Sequence, residues 1–291
     1  MAEEIDVEIK HLTVQTGTKT VINDVSFSLY KGEVLALVGE SGSGKTMTAL
    51  SVLDLLPPEL ERVRGEIFFN GRNIFDMGRE EIRKIRGKEI SMVFQEPFTA
   101  LNPVMNIGTQ LSETLIAHGC FKPTPSKVHG PWSIVPAFAK ASEGRHGPIM
   151  SDQLKHLLST VKLLDNVLTA YPHELSGGMR QRVMIAMALS CGPSVLILDE
   201  PTTALDVSIQ KEILDLIKNI QKERALSVLF ITHDLSIVNL IADRVCVMRQ
   251  GKLIEIGMKE KVLNAPEHEY TKMLLGCIPR LGDTRERLPC F

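Results

Sequence analysis

The chain has 291 residues, room for one large domain or two small ones, with 44% hydrophobic residues for a core and 23% charged ones. Its net charge of −2 gives no electrostatic case for nucleic acid, and no apolar run reaches the ~20 residues of a membrane helix. Five scattered cysteines without a C-x-x-C pair argue against a zinc site or a disulfide framework, and for a reducing compartment.

The first residues, Met1 to Asp6, are acidic and carry no apolar signal-peptide core, so no secretory leader is expected. Alternation over Ile5 to Val14 predicts a strand, followed by a turn near Gly17 and a second strand through Val25, Phe27 and Leu29. Lys31-Gly32-Glu33 turns the chain into the apolar run Val34 to Val38, which reads as a buried strand. That run breaks into Gly39-Glu40-Ser41-Gly42-Ser43-Gly44-Lys45-Thr46, and Met47 to Leu56, free of Gly and Pro, suits a helix. Strand, glycine loop and helix are what a polyphosphate site needs. The glycines let backbone N–H groups turn inward, and the helix N-terminus adds partial positive charge. Lys45 can reach the β- and γ-phosphates, and the Thr46 hydroxyl can ligate Mg²⁺.

Gly65 to Gly71 reads as a strand ending in an Asn-Gly turn, Ile82 and Ile85 suit a short helix, and Glu89 to Phe94 a buried strand. Beyond Gln95 the pattern is helical, first over Ile107 to His118. From Gly119 to Met150, five prolines and several glycines argue against a regular helix or sheet, so an irregular surface insertion is expected there. His118, His129, His146 and Trp132 fall in or beside it, with no carboxylate or cysteine spacing that would make a metal site. Helical periodicity returns over Asp152 to Leu164 and Gly177 to Leu189. The apolar runs Val195–Leu198, Val228–Ile231 and Val245–Met248 alternate with helical Val207–Glu223 and Leu235–Ala242, which predicts a parallel α/β sheet.

Two further features carry chemistry. The strand Val195–Leu198 ends in Asp199-Glu200, at the sheet edge shared with the glycine loop. Asp199 can bind Mg²⁺ and Glu200 can polarise an attacking water. Ser176 is a good N-cap, and Gly177-Gly178 leave the first N–H groups of the following helix uncovered for an anion. His173 reads as a local hydrogen-bonding residue, and Arg180 and Arg182 as structural.

Gly39–Thr46, Gln95, Leu175–Gln181, Leu196–Glu200, Ala204-Leu205-Asp206 and His233 resemble, in order and spacing, the Walker A loop, Q-loop, signature, Walker B, D-loop and switch histidine of ABC transporter nucleotide-binding subunits. Phe94–Pro103 and the segment His268-Glu269-Tyr270-Thr271 with Ile278-Pro279-Arg280 are similar to the oligopeptide, dipeptide and nickel importer branch. The resemblance implies an α/β fold, a P-loop NTPase with a RecA-like core and antiparallel β subdomain, plus an inserted α-helical signature subdomain. Residues 1–95 and 195–257 would be the core, 96–194 the helical subdomain with its insertion at 119–150, and 258–291 a short helical tail.

It further implies ATP and Mg²⁺ as cofactors, with hydrolysis powering import of small peptides or nickel. Glu200 would be the general base, His233 would hold the γ-phosphate, and Gln95 would sense Mg²⁺ and water. Lys45 would complete the catalytic set; Thr46, Gln95 and Asp199 would be the metal residues. Ser176, Gly177 and Gly178 would meet ATP held by a second ATPase subunit, with Gln181 and Asp206 also counted as nucleotide-binding. That second subunit is expected to be a different chain, although a homodimer stays open. Two membrane permeases would dock at Gln95 to Asn102 on the cytoplasmic face, served indirectly by an extracytoplasmic binding protein.

Two departures stand out. Thr16 takes the place of the adenine-stacking aromatic, and no Phe, Tyr or Trp precedes Phe27. Cys277 and Cys290 cannot supply the four thiolates of an iron–sulfur cluster, so none is expected. A soluble ABC-type ATPase of DNA repair or translation is the alternative; tandem nucleotide domains, a coiled coil or zinc modules would favour it, and none is visible.

Overall fold

A computed structural model describes residues 4–95, 100–120, 148–203 and 205–276, with the backbone alone for 148–150. The expectations for 121–147, Ala204 and the tail beyond 276 lie outside these residues.

Strands β1 (Ile5–Thr16) and β2 (Lys19–Tyr30) form a long antiparallel hairpin. Ile9 and Leu12 are three apart, yet both are buried, because a bulge with His11 at φ 50° shifts the register between them. Next come β3 (Val34–Val38), α1 (Lys45–Val52), β4 (Glu61–Phe69), β5 (Arg72–Asn73), α2 (Arg79–Ile85) and β6 (Ile90–Val93). Strand β4 begins four residues before the expected Gly65. Its first four residues are exposed and pair along the end of β1, so no apolar alternation marks them.

Helices α3 (Ile107–Ala117), α4 (Pro148–Thr160) and α5 (Gly177–Leu189) follow, then β7 (Val195–Asp199), α6 (Val207–Arg224), β8 (Ser227–Thr232), α7 (Leu235–Ile241) and β9 (Arg244–Arg249). The described chain ends with β10 (Lys252–Met258), α8 (Lys259–Asn264) and α9 (Glu269–Gly276). Helix α4 stops at Thr160 instead of continuing to Leu164. Lys162 turns left-handed at φ 58°, and the Leu163 N–H closes back on the Leu158 carbonyl at 2.9 Å.

The first sheet has the order β2-β1-β4-β5 and is antiparallel. The second has the order β10-β9-β3-β8-β7-β6, parallel from β9 to β6, with β10 antiparallel at one edge. Strand β3 therefore sits mid-sheet, and the carboxyl ends of β3, β7 and β8 open on one edge. Its alternate residues face two cores: Leu35 and Leu37 pack with the first sheet and α1, and Ala36 and Val38 pack with α7 and Tyr270 of α9. A further core joins α3 to α6 against Leu196, Leu198, Val228 and Phe230.

Two residues of β9 matter below. Arg244 Nη1 donates to Glu33 Oε1 at 3.0 Å and to the Ser28 carbonyl at 3.2 Å, while its guanidinium lies over the Tyr30 ring. Cys246, two residues on, is wholly buried between β3 and β10.

Candidate functional site

Strand β3 ends at Val38, and the chain passes through Gly39 at φ 155° and Gly44 at φ 101° before α1 begins. A β-carbon on Gly39 would collide with the Met248 carbonyl oxygen of β9, so the close approach demands glycine. Lys45 is 5% exposed, and its ammonium donates to the Gly39 and Glu40 carbonyls, both at 2.8 Å, and to Ser43 Oγ at 3.4 Å. Burial lowers its pKa, against the upward pull of Glu200, Asp199 and Glu40.

Asp199 ends β7 and is buried; burial raises its pKa, while a hydrogen bond with Thr46 pulls it back. Its Oδ1 has no partner among the described residues. A buried orphan carboxylate oxygen beside a threonine hydroxyl suits a hard divalent cation such as Mg²⁺.

Glu200 follows in a left-handed backbone turn, φ 47°, its N–H donating to the Ile231 carbonyl of β8 at 3.0 Å. Its carboxylate is 9% exposed and gathers groups from three parts of the chain. Gln95 Nε2 and Thr203 Oγ1 donate to Oε2 at 3.2 and 3.0 Å, and His233 Nδ1 is bonded to Oε1 at 3.0 Å. Gln95 follows β6 and His233 follows β8, so sheet order alone brings them to Glu200. Thr203 carries no sequence signal for this role.

An open cavity of about 300 Å³ lies on this edge, lined by Val21, Ser41, Gly42, Gly44, Lys45, Thr46, Met47, Gln95 and Glu200. Gly39, Glu40 and Ser43 shape the loop behind it; Val21, from β2, was not foreseen. Thr16 pairs with Lys19 at the hairpin tip and does not line the cavity.

Ser176, Gly177, Gly178, Gln181 and Asp206 do not line it either. Ser176 caps α5 by accepting the Met179 N–H at 3.3 Å. Gly178 lies against α6, where an added β-carbon would stand 2.6 Å from Ile209 Cγ2, and Gly177 faces Leu205. Close helix packing thus supplies one reason for the paired glycines. Gln181 is buried with Nε2 unpaired among the described residues, and Asp206 precedes α6 without a side-chain cap bond. Arg182 bonds Glu212 and the Val161 carbonyl, Arg180 donates to the Pro172 carbonyl, and His173 stacks on Tyr171. The two arginines make structural contacts, whereas His173, expected to hydrogen-bond locally, contributes a ring contact instead.

A glycine loop gripping a buried lysine, beside a strand that ends in two acids, makes this sheet edge that of a P-loop nucleoside triphosphatase. The family model described as ABC transporter matches residues 22–203, and the oligopeptide/dipeptide transporter C-terminal region matches 254–290. The chain belongs to the ABC transporter family, as an ATP-binding, ATP-hydrolysing subunit.

It is 44% identical over 286 residues to the dipeptide transport ATP-binding protein DppD of Bacillus subtilis, covering 97% of this chain and 78% of that protein. It is 45% identical over 272 residues to the glutathione import ATP-binding protein GsiA of Salmonella typhimurium. That match covers 91% of this chain but only 40% of GsiA. Among solved structures, cbiO1 of Clostridium perfringens, part of the transporter complex cbiONQ, superposes with a TM-score of 0.71 at 25% identity, covering 93% and 94% of the two chains. A dimeric ATP-binding cassette bound to ADP and phosphate superposes at 0.70 with 24% identity, covering 87% of this chain and 98% of that one.

Proposed function

We propose that this subunit powers import of small peptides through a membrane permease, with ATP bound at the glycine loop and water activated by Glu200. The observation that carries this reading is the Glu200 carboxylate, held by Gln95, Thr203 and His233 at the rim of the loop cavity. A carboxylate oriented from three sides can align water for in-line attack on a γ-phosphate. His233, 54% exposed at its side chain on the same rim, would hold that phosphate. Loop amides and Lys45 hold the β- and γ-phosphates. Mg²⁺, held by Thr46 and Asp199 with Gln95 beside it, would neutralise phosphate charge.

Ser176, Gly177, Gly178, Gln181 and Asp206 stand off the cavity, which supports their acting on ATP held by a second subunit. We favour a heterodimer docked on two permeases at the cytoplasmic face of the membrane. Among the described residues no helix is long and apolar enough to cross a membrane, so attachment would come through those partners. Peptide cargo rather than nickel is supported by the names of the relatives and by the matched C-terminal region.

The test is capture of tagged Glu200→Gln protein from solubilised membranes with Mg-ATP, read by mass spectrometry. Recovery of a second ATPase and two multi-span permeases is expected. Recovery of soluble, nucleic-acid or ribosomal proteins alone would remove transport and leave the ATPase standing.

A further inference from the structure

Glu40 opens the glycine loop, yet its side chain does not line the cavity. Its carbonyl is one of two main-chain acceptors for the Lys45 ammonium, at 2.8 Å; the other, that of Gly39, is fixed by the close approach to Met248. The Glu40 N–H donates to Tyr270 Oη, 3.4 Å away and 230 residues later in the chain. The phenol is also bonded to the Glu40 carboxylate. Burial first, and then that bond, push it up to about 12, so the hydroxyl keeps its proton and donates. Tyr270 is 1% exposed, and the Arg249 guanidinium covers its ring at 4.5 Å.

The start of α9 is itself anchored. The Tyr270 N–H donates to His268 Nδ1 at 3.0 Å. The Glu255 carboxylate of β10 accepts the N–H groups of Glu267 and His268 at 2.8 and 3.2 Å. A continuous set of polar contacts therefore runs from β10 through α9 to the loop. A tyrosine needed only for packing could place its hydroxyl against any buried acceptor. This one places it on the residue that holds the phosphate-binding lysine.

We propose that Tyr270 is a positioning residue for ATP: by fixing Glu40 it sets where Lys45 stands, so the segment 254–276 tunes nucleotide affinity. The proposal rests on Gly39–Thr46 being the nucleotide loop. Affinity gained this way is preorganisation, because a lysine already in place loses less freedom on binding.

The experiment uses full-length protein and compares wild type, Tyr270→Phe, Glu40→Ala, the double variant and Lys45→Ala. Tyr270→Phe keeps the ring and its Arg249 contact. Its Kd and KM for Mg-ATP should rise about five-fold, part of the effect of losing both Glu40 contacts being felt at Lys45, with kcat unchanged. Glu40→Ala, which removes the carboxylate contact but keeps the N–H one, should shift both in the same direction by less, and the double variant should match Tyr270→Phe. Amide exchange at Glu40 should quicken in Tyr270→Phe. Wild-type Kd and KM in Tyr270→Phe, while Lys45→Ala loses nucleotide, would overturn the proposal alone. Wild-type binding in Lys45→Ala would instead overturn the loop assignment. Should Tyr270→Phe not fold, Glu255→Gln loosens the start of α9 from outside the core. It should raise KM in the same direction, and an unchanged KM there would equally refute the coupling.

Discussion

Glu200 combines a costly backbone with a well-held side chain. Left-handed φ in a non-glycine residue costs about 1 kcal/mol, and here it aims the carboxylate at Gln95, Thr203 and His233. Glu200→Gln keeps the shape and removes the proposed base. Phosphate release should fall roughly 10²–10⁴-fold, with ATP still bound by titration. Gly39→Ala drives a β-carbon into a backbone oxygen that cannot yield, so a loss of about 3 kcal/mol is expected in denaturant unfolding. Lys45, Thr46, Asp199 and Glu200 were legible because their motifs are local and stand in a fixed order. Thr203, Val21 and Tyr270 were not, because their roles arise only from contacts made across the fold.

At the scale of elements, the Glu33–Arg244 pair ties the end of the first hairpin to β9. Glu33→Ala should cost about 2 kcal/mol, less than for a fully buried pair because the Arg244 side chain is 18% exposed. Burial raises the Glu33 pKa above its ordinary 4.5, against the pull of the Tyr30 N–H and Arg244. The folded state thus holds this proton more tightly than the unfolded chain. The contribution of this group to stability is full below the unfolded value and is lost as pH rises through the folded one. Glu33→Gln should remove that slope, measured as unfolding free energy from about pH 4 to about pH 7. Buried parallel strands β3, β7, β8 and β9 were readable as apolar runs. The first half of β4 and all of edge strand β10 were not, since residues exposed to solvent leave no apolar pattern. The ends of α1, α4 and α6 were each off by one to several residues, because capping geometry rather than periodicity stops a helix.

For the molecule as a whole, the hairpin that borders the cavity offers an aliphatic Val21, with Thr16 at its tip. With no aromatic ring among the described residues that line the cavity, ATP and GTP should bind within about ten-fold of each other, since stacking is worth about 1–3 kcal/mol. Parallel titrations check this, and a strong preference for ATP would contradict it. The sheet that carries the glycine-loop edge also carries a reporter of its own integrity. Cys246 is sealed between β3 and β10, and burial pushes its thiol far above the usual range. A maleimide or disulfide reagent can reach that sulfur only when the strands part. In a variant keeping Cys246 as its sole cysteine, the rate of labelling becomes a clock for opening of that sheet. Adding Mg-ATP should slow that clock in proportion to the nucleotide bound, which turns a buried thiol into a measure of ligand-linked stability without any assay of transport.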